Sequence, residues 1–203
     1  MKIVCLKEPL HFLTDGVFIM EMPNRYVYLM FQIDTNRLNS RQNLPFMNKL
    51  EQWHKNGVID IEISEVAQHE ARYGNNSLRN QKAMRYIFSE TKSTTDDEIK
   101  MLEEIKSILF PNGPKNQNEN NDIEIVFNAW KYSRILVTND GASNKQPNGI
   151  LGNLDKLRTL GIRVVRDNEA VSMVEQKIRE RDNMVRMISE KYHKPLPNWI
   201  GKE

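Results

Sequence analysis

The chain has 203 residues, enough for one compact domain with a real core and an extra element. Its 29 Lys and Arg nearly balance 27 Asp and Glu, so a net charge of +2 permits nucleic-acid binding only through uneven placement of the charges. The single cysteine, Cys5, excludes a disulfide framework and a cysteine-rich zinc site, and no apolar run approaches the roughly 18–20 residues of a membrane span.

The N-terminal stretch MKIVCLKEPLHFLTDG places one basic residue before a short apolar run and makes a poor signal peptide. A cytoplasmic location with no membrane partner is therefore expected. Residues 1–25 read as a preamble, in which VFIMEM and the following YVYLMFQI flank Pro23-Asn24 and predict an extra N-terminal strand or hairpin. The apolar run 28–33 predicts a strand buried on both faces, and it ends abruptly in Asp34-Thr35-Asn36.

Beyond it, Leu44, Met47, Leu50 and Trp53 recur at helical spacing and Gly57 offers a C-cap. VIDIEI (58–63) predicts a short strand, with Ser64 able to N-cap the helix that follows. Residues 77–90 and 95–109 predict two further helices, and PNGPKNQNENN (111–121) a polar loop. Ile123, Val126, Phe127 and Trp130 mark another helix; RILVT (134–138) predicts a buried strand and GASNKQPNG (141–149) a loop. A helix with Leu151, Leu154 and Leu157 leads through Gly161 to the strand IRVV, and a long helix spans about 168–191. Alternating strands and helices of this kind predict an α/β fold with a parallel sheet.

In such sheets the reactive groups gather beyond the carboxyl ends of the strands, where Asp34 and Asp140 both fall. Glu70 shares a helical stripe with Val66 and Tyr73, and Asp122 shares one with Val126 and Ala129, so both carboxylates are expected to face inward. Taken singly, each acid has a plainer role: a turn or cap for Asp34 and Asp140, a helix-start acid for Asp122, a surface pair for Glu70. Together they carry more weight. Two carboxylates about 4 Å apart repel by roughly 4 kcal/mol at an effective dielectric of about 20, so a four-acid cluster implies a bound cation. All-oxygen ligands select Mg²⁺ or Mn²⁺ over zinc, and Asn36 and Thr138 are suited to orient the carboxylates.

These segments resemble those of the PIN-domain ribonucleases. IDTNRL resembles the family's first-strand Asp-Thr-Asn motif, ISEVAQHEA its strand-to-helix segment ending in Glu, DIEIVFNA its helix that starts with Asp, and ILVTND its Thr-x-Asp strand end. The resemblance runs from about Tyr26 to Asp167. It implies a three-layer fold with a central parallel sheet flanked by helices, and metal-dependent cleavage of RNA by a metal-activated water attacking phosphorus in line. It assigns Asp34, Glu70, Asp122 and Asp140 to the metal and catalytic set.

The expected organisation is therefore a preamble (1–25), a PIN-like domain (26–167) with a helical insertion near 95–109, and a C-terminal helix and tail (168–203). A non-catalytic PIN-like module that binds RNA or protein is the alternative. The partners expected are RNA and, if the chain acts as a toxin, an antitoxin-like protein inhibitor. The last helix carries interleaved charges of both signs and suits packing or a homodimer contact better than RNA clamping. Arg37, Arg41, Lys131, Arg134 and Lys145 lie near the acids in sequence as candidate phosphate contacts. The four histidines, His11, His54, His69 and His193, show no metal-ligand spacing and predict structural roles. The closing HKPLPNWIGKE predicts an extended tail anchored by Trp199.

Overall fold

Short apolar runs separated by amphipathic segments have one economical solution, a parallel sheet covered by its own crossover helices. The structure is a computed structural model and describes residues 22–73, 76–141 and 149–203. Among the described residues, β1 (Met30–Ile33), β2 (Asp60–Ser64), β3 (Ile87–Ser89), β4 (Ile135–Val137) and β5 (Arg163–Val165) form one sheet in the order β3-β2-β1-β4-β5, every pair parallel. The chain steps outward from β1 through β2 to β3, then crosses to β4 on the other side of β1. The space beyond the carboxyl ends of β1 and β4 is therefore the topological switch point.

The helices are α1 (Pro45–Lys55), α2 (Glu65–Tyr73), α3 (Ser77–Ala83), α4 (Asp96–Leu109), α5 (Gln117–Lys131), α6 (Leu154–Thr159) and α7 (Asp167–Tyr192). Gln32 donates from Nε2 to the Ile125 carbonyl of α5 at 2.9 Å. Side chains alternate along a strand, so Phe31 and Ile33 face the opposite side, where α1 and α7 pack together. Fully buried Phe31, Ile33, Met47, Leu50, Ile61, Ile63, Phe127 and Leu136 fill the layers on either side of the sheet. The expected α/β architecture and the long C-terminal helix are both present.

Local chemistry explains the element boundaries. Gly57 sits at φ +69° just past α1, and the Val58 N–H returns to the Trp53 carbonyl, the left-handed helix ending that glycine favours. Ser64 Oγ accepts from the Ala67 N–H at 3.2 Å and so caps α2, as its position predicts. At the C-terminus, the Arg181 guanidinium lies 4.5 Å from the Trp199 ring and pairs with Asp182 and Glu203, so Trp199 does anchor the tail.

Two expectations need correction. The helix read over 77–90 ends at Ala83, and Ile87–Ser89 instead extends the sheet beside Glu62–Ser64. A strand of three residues is too short to show a period, and what holds it is distant in sequence. The buried Asn128 side chain accepts from Ser89 Oγ at 2.9 Å and donates to the Ser89 and Glu90 carbonyls, each at 3.1 Å. The polar loop read over 111–121 is helical from Gln117 onward. Asn116 caps α5 by accepting from the Glu119 N–H at 3.0 Å, while Glu119 accepts from the Lys115 N–H at 2.6 Å. Most of the expected N-terminal hairpin lies outside the described residues. Met22–Leu29 carry no strand of their own, though the Val27 N–H reaches the Val58 carbonyl at 2.8 Å.

Replacing Asn128 with Ala strands buried partners on β3 and its continuation. Asn128→Ala is expected to lower stability by about 1–3 kcal/mol, the range for a buried polar group left unpaired. Urea denaturation checks this, and an unchanged midpoint would show that β3 needs no anchor on α5.

Candidate active site

The parallel pairing of β1 with β4 sets Ile33 beside Val137, so Asp34 and Thr138 follow as the next residues on each strand. Asp34 is almost wholly buried, at 4 % exposure, and its Oδ2 accepts from Thr138 Oγ1 and Asn36 Nδ2, both at 2.5 Å. Asn36 also takes the Asn139 N–H at 3.1 Å, and Thr138 Oγ1 takes the Asp140 N–H at 3.0 Å. The strand ends, Asp34, Asn36 and Thr138 thus form one hydrogen-bonded unit.

Glu70 reaches the same place from α2. Its two oxygens accept from Thr35 Oγ1 at 2.5 Å and from Asn121 Nδ2 at 2.8 Å. Asp122 enters from the second turn of α5, not from the helix start, because the helix begins at Gln117. A plain dipole role for Asp122 is thereby removed, since that effect is confined to the first turn. Asp140 faces the site and also holds the backbone at Ile150: its Oδ2 accepts from the Ile150 N–H at 2.7 Å, and a β-carbon on Gly149 would collide with that oxygen.

All four acids line one open cleft of about 700 Å³, together with Thr35, Asn36, Val66, His69, Tyr73, Arg79 and Asn121. Burial, with Glu70 and Asp140 nearby, raises the Asp34 pKa to about 6 despite the hydrogen bond from Thr138. Burial first, then the charges of Asp140, Asp34 and Glu70, raise Asp122 further, to about 8. Among the described residues, no cation offsets either shift. The donor chemistry, unneutralised carboxylate oxygens in a shared cleft, fits a hard divalent ion. Among the described residues, no three of these side chains converge closely enough to hold an ion as they stand.

Several expectations change here. Val66 is half-buried and Tyr73 fully exposed, so the stripe they share with Glu70 forms the cleft wall, while Ala67, Gln68 and Ala71 supply the core side of α2. Three of the proposed phosphate contacts are occupied structurally: Arg37 pairs with Asp167 at 3.1 Å, Lys131 with Glu98 at 3.4 Å and Arg134 with Glu62 at 2.5 Å. Arg41 is exposed and Lys145 lies outside the described residues. Of the histidines, His54 accepts from the Ile61 N–H at 3.2 Å, a structural role, whereas His69 lines the cleft. Thr35, Asn121 and Arg79 are site residues that sequence reasoning missed. The first two adjoin Asp34 and Asp122, but only the fold shows that both turn toward Glu70.

No protein-family model matches the chain, and no curated protein does. Among solved structures, it is similar to VapBC2 from Rickettsia felis bound to a DNA fragment from their promoter, at 20 % identity with a TM-score of 0.45, covering 68 % of this chain and 98 % of that one. DNA-bound VapBC from Salmonella typhimurium aligns at 16 % identity and a TM-score of 0.45, over 68 % and 98 % of the two chains. FitAB bound to an IR36 DNA fragment aligns at 15 % identity and 0.42, over 68 % and 95 %.

The raised Asp122 pKa has a consequence for stability without metal. The folded state holds a proton on Asp122 that the unfolded chain, with an ordinary Asp pKa of about 3.9, releases. This group's contribution is therefore most favourable below about pH 4 and declines as pH rises toward 8. In EDTA, Asp122→Asn is expected to raise the melting temperature at pH 8, by about 2–4 °C for each kcal/mol relieved, and to converge on the parent near pH 4. Thermal melts at the two pH values test this; a variant that melts lower at both would mark Asp122 as a structural acid.

Proposed function

We propose that the protein is a Mg²⁺- or Mn²⁺-dependent endoribonuclease of PIN type, cleaving RNA phosphodiester bonds in the acidic cleft. The observation that carries this reading is the gathering of Asp34, Glu70, Asp122 and Asp140, from four different segments, at the switch point of a parallel sheet, with none of them in an ion pair among the described residues. Such a set costs stability in the apo chain and is explained by a cationic ligand. Asp34, Glu70, Asp122 and Asp140 would hold the divalent ion, which would supply Lewis-acid chemistry at the phosphodiester.

The chain's own residues have separable tasks. Asp34, fixed by Thr138 and Asn36, presents a carboxylate whose orientation two donors determine. Glu70 is steadied by Thr35 and Asn121. Asp122 accepts no hydrogen bond from a neighbour among the described residues, which leaves its carboxylate free for a ligand. Asp140 couples the site to the Ile150 backbone. An antitoxin-like inhibitor would act in this reading by covering the cleft.

The test is a titration of Mn²⁺ and of Mg²⁺ against a fluorescently labelled RNA. Cleavage is expected with either ion and none in EDTA. Asp34→Asn and Glu70→Gln should each lower the rate about tenfold or more, the scale seen when support of a metal site is lost. Glu65 sits in the first turn of the same helix and does not line the cleft. Glu65→Gln should keep the activity and cost only about 0.3–1 kcal/mol of stability. RNA binding without cleavage at any ion concentration would instead support the non-catalytic module, a reading favoured by the absence of a close acid triad among the described residues.

A further inference from the structure

The α2 and α3 side of the cleft carries two groups that the proposed metal site does not use. Tyr73 ends α2 one turn beyond Glu70 and is 88 % exposed at the rim of the cleft. None of the ring–ring or cation–ring contacts among the described residues involves it. Arg79 lies on α3, which packs against α2, and its Nη2 donates to the Thr35 carbonyl at 2.5 Å. The Thr35 hydroxyl in turn donates to Glu70, so the guanidinium is held beside the acids by a backbone group.

The electrostatics of this arrangement are informative. Arg79 stands in a cleft lined by carboxylates yet forms no ion pair with any of them among the described residues. A guanidinium offers five N–H donors in a planar fork that matches a phosphate, and one contact to Thr35 leaves most of that fork open. An exposed ring one helical turn from the acids offers a flat face, and an unpaired base has a flat face to cover. A base inside a duplex is already stacked on both sides.

We propose that Tyr73 and Arg79 together seat one unpaired nucleotide of the substrate, the tyrosine stacking on its base and the arginine taking its phosphate. This rests on the ribonuclease reading and adds the residues that select single-stranded over paired RNA at this cleft. The other cleft residues on α2, Val66 and His69, lie toward the start of the helix and leave Tyr73 as the outermost contact.

Fluorescence anisotropy with the full chain, in Ca²⁺, would compare a labelled ten-nucleotide RNA single strand with the same sequence in a duplex. Tyr73→Ala should weaken single-strand binding about fivefold or more, the effect of losing one stacked base, and leave duplex binding unchanged. Tyr73→Phe, which keeps the ring, should restore most of the affinity. Arg79→Met should lower affinity and reduce the slope of log affinity against log salt by about 0.7, one phosphate contact on a single strand, with Arg79→Lys recovering the slope. Circular dichroism melts confirm that each variant folds. If the parent binds and cleaves RNA but Tyr73→Ala and Arg79→Met bind the single strand as the parent does, the proposal is overturned while the ribonuclease reading stands. If the parent neither binds nor cleaves RNA with Mn²⁺ or Mg²⁺, the ribonuclease reading fails and this proposal falls with it.

Discussion

The hydrogen bond from Thr138 to Asp34 is the contact on which the rest of the site is organised. It exists because β1 and β4 pair in parallel with a register that brings their final residues side by side. A carboxylate at 4 % exposure without such a donor would be expelled toward water or left protonated. The same hydroxyl also accepts from the Asp140 backbone, and Asn36 spans both strand ends. Displacing β4 by one residue would turn Thr138 to the other face of the sheet and dissolve all of these contacts together.

Around that unit the structure accepts conflict. Burial holds both Asp34 and Asp122 above the ordinary carboxylate range, with the charges of Glu70 and Asp140 adding to both and that of Asp34 adding to Asp122. A domain selected for stability alone would place a lysine or arginine among such acids. Here the guanidinium that lines the cleft among the described residues, Arg79, is tied to a carbonyl instead. Local rules broken in one concentrated place, inside an otherwise consistent fold, are the pattern of a functional site.

Much of this was legible in the order of residues, and the limits of legibility have physical causes. The strand–helix alternation, the Gly57 helix ending and the Ser64 cap all depend on near neighbours, so spacing reveals them. The edge strand Ile87–Ser89 was hidden because its existence depends on Asn128, some forty positions away in a helix. Asn116 and Glu119 masked a helix start inside a segment whose composition resembles a loop. Arg37 and Arg134 stood close to the acids in sequence and were spent on ion pairs with Asp167 and Glu62, partners that only the folded chain brings near. Arg79 was invisible for the converse reason: it lies far from Thr35 in the chain and meets it only through the packing of α3.

Two glycines after β4, Gly141 and Gly149, set the terms on which this corner of the cleft can change. Gly141, at φ +79°, lies against the backbone of Gly149, and the Ile150 and Leu151 N–H groups both return to Asp140. Gly141 and Gly149 thus meet at a single closed point, and a β-carbon on Gly149 would fall on Asp140 Oδ2. Gly149 is consequently a fixed position in the evolutionary sense. Any side chain there would displace Asp140 and disturb the site itself.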